Sequence, residues 1–266
     1  MGKINTNSNV YTVIYATVLV VIVAAVLAFV SDSLRDKQQK NIDMETKKNI
    51  LLSVNLAQKA AEAADPIAYI EEEYNKYITE SFIVNAKGEV VKGDAFKVSL
   101  KSQFDIMRAA TPDLEAIQLP VFVATNDKHE TYYILSVYGA GLWGPIWGYI
   151  SFKSDLNTIE GANFSHKGET PGLGAEIATP TFTKKFEGRT IFDNAQFTSI
   201  IVAKGGAKPG SKNEVDAITG GTITSKALES SITSWLEYYL PYIEKQQTLM
   251  NTPTHPVGSF KVGEVE

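Results

Sequence analysis

Cysteine is absent from the 266 residues, which excludes disulfides, iron–sulfur ligation, thiolate zinc sites and thiol nucleophiles together. Any redox chemistry would belong to a cofactor. Histidine is scarce: His129, His166 and His255 lie far apart, and none has a second histidine or carboxylate at metal-ligand spacing on a plausible helix. No lysine or arginine block offsets the net charge of −5, so the electrostatic footprint of nucleic-acid binding is missing. Three chemical motifs are also lacking. Lys226 follows Ser225 without the bracketing glycines of a phosphate-binding P-loop. Gly139-Ala-Gly141 lacks the third glycine of a dinucleotide fingerprint. Gly-x-Ser-x-Gly does not occur, which argues against a serine hydrolase.

What is present is a chain 44% hydrophobic and 21% charged, enough to bury a sizeable core. Its first strong signal is Val10–Val30, an uncharged run whose least apolar members are Tyr11, Thr12, Tyr15 and Thr17. A helix of that length reaches about 30 Å and spans a hydrocarbon core, with Tyr11 and Tyr15 at interfacial positions. The run is longer than a signal-peptide core, and no small-x-small cleavage site precedes Ser31-Asp-Ser-Leu-Arg35. A retained transmembrane helix over 10–30 is therefore expected, after a short tail over 1–9. Lys3 on one side against Arg35, Lys37 and Lys40 on the other favours, by charge alone, a cytoplasmic domain.

Beyond the span, residues 31–79 read as a helical juxtamembrane region. Ile42, Ile50, Leu51, Val54, Leu56 and Ala57 fall at helical spacing, and after Asp65-Pro66 a shorter stripe runs through Ile67, Ile70, Tyr74 and Ile78. The period then changes to that of strands. Ser81–Val84 and Glu89–Val91 flank the turn Asn85-Ala-Lys-Gly88; Pro120–Thr125 and Thr131–Val137 form a stronger hairpin; Gly148–Phe152 and Phe197–Ala203 are further strand candidates. A last helix is predicted over about Thr224–Gln247, with Leu228, Ile232, Trp235, Leu236 and Tyr239 on one face. The fold class is α+β: one transmembrane helix, a helical spacer, a mostly antiparallel sheet domain flanked by helices over 80–250, and a loose tail over 251–266.

Three glycine-rich clusters are candidates for chemistry. Tyr138-Gly-Ala-Gly-Leu-Trp-Gly-Pro-Ile-Trp-Gly148 is either a tight turn whose Trp143 and Trp147 fill the core, or a wall for a flat aromatic ligand. His166-Lys-Gly-Glu-Thr-Pro-Gly-Leu-Gly174 sets Glu169 and Thr170 before a Pro-Gly turn, with Gly172, Leu173 and Gly174 offering backbone amides; such a segment is an ordinary surface loop or a holder of polar ligand edges. In Asp216-Ala-Ile-Thr-Gly-Gly-Thr-Ile-Thr-Ser-Lys226, the hydroxyls of Thr219, Thr222, Thr224 and Ser225 crowd the Gly220-Gly221 bend before the last helix. A helix N-terminus favours a phosphate. Capping alone would use Thr224 or Ser225 and leave Gly-Gly and Asp216 without a role.

Asp216-Ala-Ile-Thr219-Gly220-Gly221-Thr222 resembles the flavinylation signal Asp-x-x-Ser/Thr-Gly-Ala-Thr of the FMN-binding domain family, with Gly221 in place of alanine. The resemblance implies FMN joined through its phosphate to Thr222 by a dedicated flavin transferase. It implies cofactor-binding roles for Trp143, Trp147, Glu169, Thr170, Gly172 to Gly174 and the residues around Thr222, with Thr224, Ser225 and Lys226 at the phosphodiester. The order of parts is similar to the flavin-bearing subunits of Na+-translocating NADH:quinone reductases, with Rnf ferredoxin:NAD+ complexes as the alternative. It implies an inner-membrane electron carrier without its own NADH or quinone site, partnered by other membrane subunits. It also implies a flavin domain on the extracytoplasmic side, contrary to the charge count.

Overall fold

The computed structural model describes residues 8–251; the expected tail beyond Asn251 and most of the N-terminal tail lie outside the described residues. The chain divides into two compact units at Thr46/Lys47. The first holds most of helix α1 (Asn9–Ser53), unbroken through the apolar run. By length and composition it is the one helix among the described residues able to cross a membrane. Val13, Leu19, Ile22 and Phe29 are all exposed.

The second unit begins inside α1. Residues 47–79, expected as part of a helical spacer, fall within this folded unit, because Ile50 and Leu51 are fully buried and Val54 nearly so. Helix α2 (Pro66–Tyr77) starts where Asp65 accepts from the amides of Ile67 and Ala68 and proline occupies the first turn, the ordinary signals of a helix start.

A six-stranded sheet follows: β1 (Ile78–Val84), β2 (Val90–Val91), β3 (Leu119–Thr125), β4 (Thr131–Ala140), β5 (Pro145–Phe152) and β6 (Ile159–His166). Their order is β2-β1-β3-β4-β5-β6, every neighbouring pair antiparallel. The β1–β2 turn closes on Gly88 at φ +72°, a conformation that suits glycine. Strand β6 does not stand out in the sequence, since Gly161 and Asn163 are poor strand formers. Its glycine has a packing cause: a Cβ at 161 would lie 2.5 Å from the Ser53 carbonyl oxygen. Helix α3 (Leu100–Met107), capped by Ser99, interrupts the first strands.

Helix α5 (Thr222–Asn251), which follows the single-turn α4 (Pro180–Thr183), packs across one face of this sheet. Leu228, Ile232, Trp235, Leu236, Tyr239 and Ile243 are fully buried against Leu135, Val137, Ile146 and Ile150, each large side chain contributing about 1.5–3 kcal/mol by burial. Two polar ties fix the helix in register. Trp235 Nε1 donates to the Tyr138 carbonyl at 2.7 Å, and the Tyr239 hydroxyl donates to the Pro120 carbonyl at 2.7 Å. At Gly139 a Cβ would overlap Ser231 Oγ, so helix and strand approach as closely as backbone allows. The other face is covered from Ile50 and Val54, which pack with Phe122, Ile134 and Tyr149.

The strand expected over Phe197–Ala203 is broken. Ser199 adopts φ +54°, with its amide and that of Thr198 both donating to the Ile191 carbonyl. Phe197 ends β8 (Gln196–Phe197), paired with β7 (Phe192–Asp193), while β9 (Ile201–Ala203) pairs in parallel with β10 (Glu214–Asp216).

Candidate flavin site

Three segments converge where α5 begins. The β4–β5 turn leaves the sheet at Gly141, whose amide donates to the Gly144 carbonyl at 2.8 Å, and carries Leu142 and Trp143 outward. The chain leaving β6 is tied alongside by Lys167 N–H to the Pro145 carbonyl, at 3.0 Å, and delivers Glu169 through Gly174. The Gly220-Gly221 bend then opens α5, with Gly220 at φ +77° and the Ser225 amide donating to the Gly221 carbonyl at 2.9 Å.

Between them lies a cavity of about 250 Å³. Its polar side is Glu169, Thr170, Thr222 and Thr224; Gly174, Gly220 and Gly221 bring backbone to its surface. Its apolar side is Leu142, Trp143, Leu173 and Ile223, all four exposed, Trp143 by 67%. The first-turn amides of α5, from Thr222 to Thr224, have no acceptor inside the helix by α-helical geometry, and all three residues line the cavity. A phosphate suits the amides, a flat ring suits the apolar side, and the glycines let both approach.

Glu169 holds the three segments together. It is 4% exposed; one carboxylate oxygen accepts from the Trp143 amide at 2.9 Å, the other from the Thr224 hydroxyl at 2.6 Å. A Cβ on Gly141 would stand 2.5 Å from the first oxygen, and one on Gly174 would stand 2.3 Å from the second. These glycines are the room the carboxylate occupies.

Several residues singled out from sequence sit elsewhere or do another task. Trp147 lies on the opposite sheet face, two residues before Tyr149, because side chains alternate along β5. Asp216 turns away from the cavity, its carboxylate accepting from the Ala207 amide at 2.7 Å with Lys185 at 3.9 Å. Lys226 pairs with Glu229 at 2.6 Å. Ser225 is buried and accepts from the Ile218 amide at 3.1 Å, closing the bend. Thr224 has one hydroxyl proton and gives it to Glu169, so it faces the cavity only as an acceptor. Thr219 and Gly172 are exposed and line no part of the cavity, Gly172 serving a turn at φ +75°. Leu142 and Ile223 were not picked out from sequence; position, one beside Trp143 and one beside Thr222, was the available signal.

Residues 141–237 match the FMN-binding domain family, a span that takes in every residue lining the cavity. The fold matches a crystal structure of the C subunit of Na+-translocating NADH-quinone reductase from Parabacteroides distasonis at 42% identity and a TM-score of 0.68, covering 79% of this chain and 96% of that one. The chain belongs to the C-subunit family of Na+-translocating NADH-quinone reductases. A relative of that description from Vibrio vulnificus (strain YJ016) is 28% identical over 219 residues, 76% of this chain and 81% of its own length. One from Haemophilus ducreyi is 27% identical over 260 residues, 92% and 97%. The expectations of FMN as the cofactor and of an α+β fold agree with these matches.

Proposed function

We propose that the chain is the membrane-anchored, flavin-bearing electron-transfer subunit of a Na+-translocating NADH:quinone reductase, with FMN esterified through its phosphate to Thr222. The observation that carries this reading is the place of Thr222. It is the first residue of α5, only part-buried, on the wall of a cavity with an apolar side, at a helix start whose first-turn amides have no acceptor within the helix. Thr224, the nearest rival acceptor, is buried and committed to Glu169.

FMN supplies one-electron chemistry when bound, taking electrons from one carrier of the complex and passing them to another. The protein supplies attachment and surroundings. The α5 N-terminus stabilises the phosphodiester, Leu142, Trp143, Leu173 and Ile223 exclude water from the ring, and Glu169 fixes the segments. Residue 80 to about residue 250 is read as the FMN-binding domain, with 10–30 as the transmembrane span. Other membrane subunits are its partners in the complex, and a flavin transferase matures it.

The extracytoplasmic placement rests on the resemblance of the acceptor motif to transferase substrates. The Lys/Arg count points the other way, and reporter fusions at Gln247 decide: activity of a cytoplasmic reporter would reverse the placement. Intact mass decides the chemistry. Coexpression with the flavin transferase yields one FMN adduct that survives denaturation and is missing from Thr222→Ala; an unmodified wild-type mass overturns the proposal.

A further inference from the structure

Glu169 is the one acidic side chain that lines the cavity. Both of its oxygens act as acceptors, from an amide and a hydroxyl, the pattern of an ionised carboxylate. Among the described residues no basic side chain forms an ion pair with it. The cations nearest in sequence to the α5 start are occupied: Lys226 by Glu229, and Lys185 by Asp216. What stabilises the charge is the Trp143 amide together with the first turn of α5, through the Thr224 hydroxyl and the helix dipole.

A buried charge is expensive unless compensated, and this one is compensated only by dipoles. Its field reaches the cavity that it lines, and grows there once a bound ring displaces solvent from the apolar side. Stabilising Thr224 and the Trp143 turn needs hydrogen bonds but not a negative charge: a glutamine of the same shape would accept from the Trp143 amide and donate to Thr224 Oγ1. The charge itself is left without a structural purpose.

We propose that Glu169 holds down the reduction potential of the flavin. A fixed negative charge beside the ring makes each added electron less favourable, so the bound cofactor is a stronger electron donor than it would be beside a neutral amide. The inference rests on the placement of FMN in this cavity. Thr224, turned to face the cavity as an acceptor, adds preference for a donor edge of the ring but does not supply the charge.

The test uses the full chain coexpressed with the flavin transferase and purified in detergent. Loading is checked first by intact mass, and an unloaded wild type would be the failure of the functional reading, not of this one. Spectroelectrochemical titration then compares wild type, Glu169→Gln, Glu169→Asp and Thr224→Val. Glu169→Gln is expected to favour the reduced flavin at least tenfold at a fixed solution potential, about 60 mV for a one-electron couple. Glu169→Asp and Thr224→Val, which keep the charge, should move it less than threefold, about 30 mV. The proposal is overturned by a loaded Glu169→Gln at the wild-type potential, by a Thr224→Val shift as large as that of Glu169→Gln, or by a Glu169→Gln chain that folds but takes no flavin, which would make the residue one of assembly.

Discussion

Gly174→Ala isolates the packing at the centre of the site. The backbone at 174 is not left-handed, unlike that of Gly172 at φ +75°, so alanine brings no conformational strain of its own. Its Cβ would stand 2.3 Å from Glu169 Oε2 and 2.4 Å from Thr224 Oγ1, wedged into a hydrogen bond 2.6 Å long. A charge-assisted hydrogen bond in a buried setting contributes about 1.5–3 kcal/mol, and an extra methyl in a packed site costs about 1–3 kcal/mol. With partial relaxation a loss of about 3 kcal/mol is expected, or about 6–12 °C in Tm for a unit of this size. Denaturant titration of the full chain in detergent, followed by circular dichroism, measures it. Gly172→Ala is the control: nothing lies within 4 Å of its Cβ, and the left-handed backbone alone costs about 1 kcal/mol. In a Thr224→Ala background, where both the bond and the Oγ1 atom are already gone, Gly174→Ala should cost at least about 1 kcal/mol less. If Gly174→Ala is no more damaging than Gly172→Ala, the carboxylate cradle is not what positions these segments.

Other outcomes are open to the same kind of measurement. Gly221→Ala supplies the residue usual in the flavinylation signal but would bring a Cβ to 2.9 Å from Ile218 Cγ2, 3.1 Å from Ile218 Cβ and 3.3 Å from the Leu173 carbonyl carbon; a rotamer shift relieves only the first, so a loss of about 1–3 kcal/mol is expected, and flavin loading should persist. Tyr239→Phe removes a buried hydroxyl and leaves the Pro120 carbonyl without its donor, a loss of about 1–3 kcal/mol by denaturant titration. Burial holds the phenols of Tyr239 and Tyr242 well above their ordinary range. With folded-state values raised, their contribution is complete below the ordinary value of about pH 10 and is lost as pH rises above it. Stability should therefore fall in alkali, and less steeply in Tyr239→Phe. Ser151→Ala deletes the hydroxyl whose single proton is shared between the Ser53 and Gly161 carbonyls, and should speed amide exchange near residues 49–53 without changing flavin loading.

The sequence made the outline of this molecule readable wherever a single period ran unbroken. The α5 face, Leu228 through Tyr239, was visible because helical spacing and burial coincide there. Both early hairpins were visible because their turns carry glycine or Asn-Asp chemistry. Where two demands competed, the pattern failed. Strand β6 hides behind Gly161, which is present for the Ser53 carbonyl rather than for a turn, and the 197–203 run is interrupted by a left-handed Ser199 that no side chain announces. At the site, residue type and spacing single out the hydroxyls of Thr219, Thr222, Thr224 and Ser225 and the Glu169 loop, and the choice of Thr222 among them comes from the resemblance alone. Trp147 parts from Trp143 because only residues 141–144 turn, and Trp147 already obeys the pleat of β5; a glycine-rich segment alone does not show where its turn ends. The roles of Asp216 and Thr224 depended on partners 9 and 55 residues away, which spacing cannot supply.

The most direct test of the central claim is the position of the flavin bond. In protein coexpressed with the flavin transferase, trypsin should release a peptide ending at Lys226 that contains Thr219, Thr222, Thr224 and Ser225. Fragmentation of that peptide should place a single FMN phosphoester on Thr222. An adduct on any of the other three hydroxyls, or a peptide without one, would contradict the account.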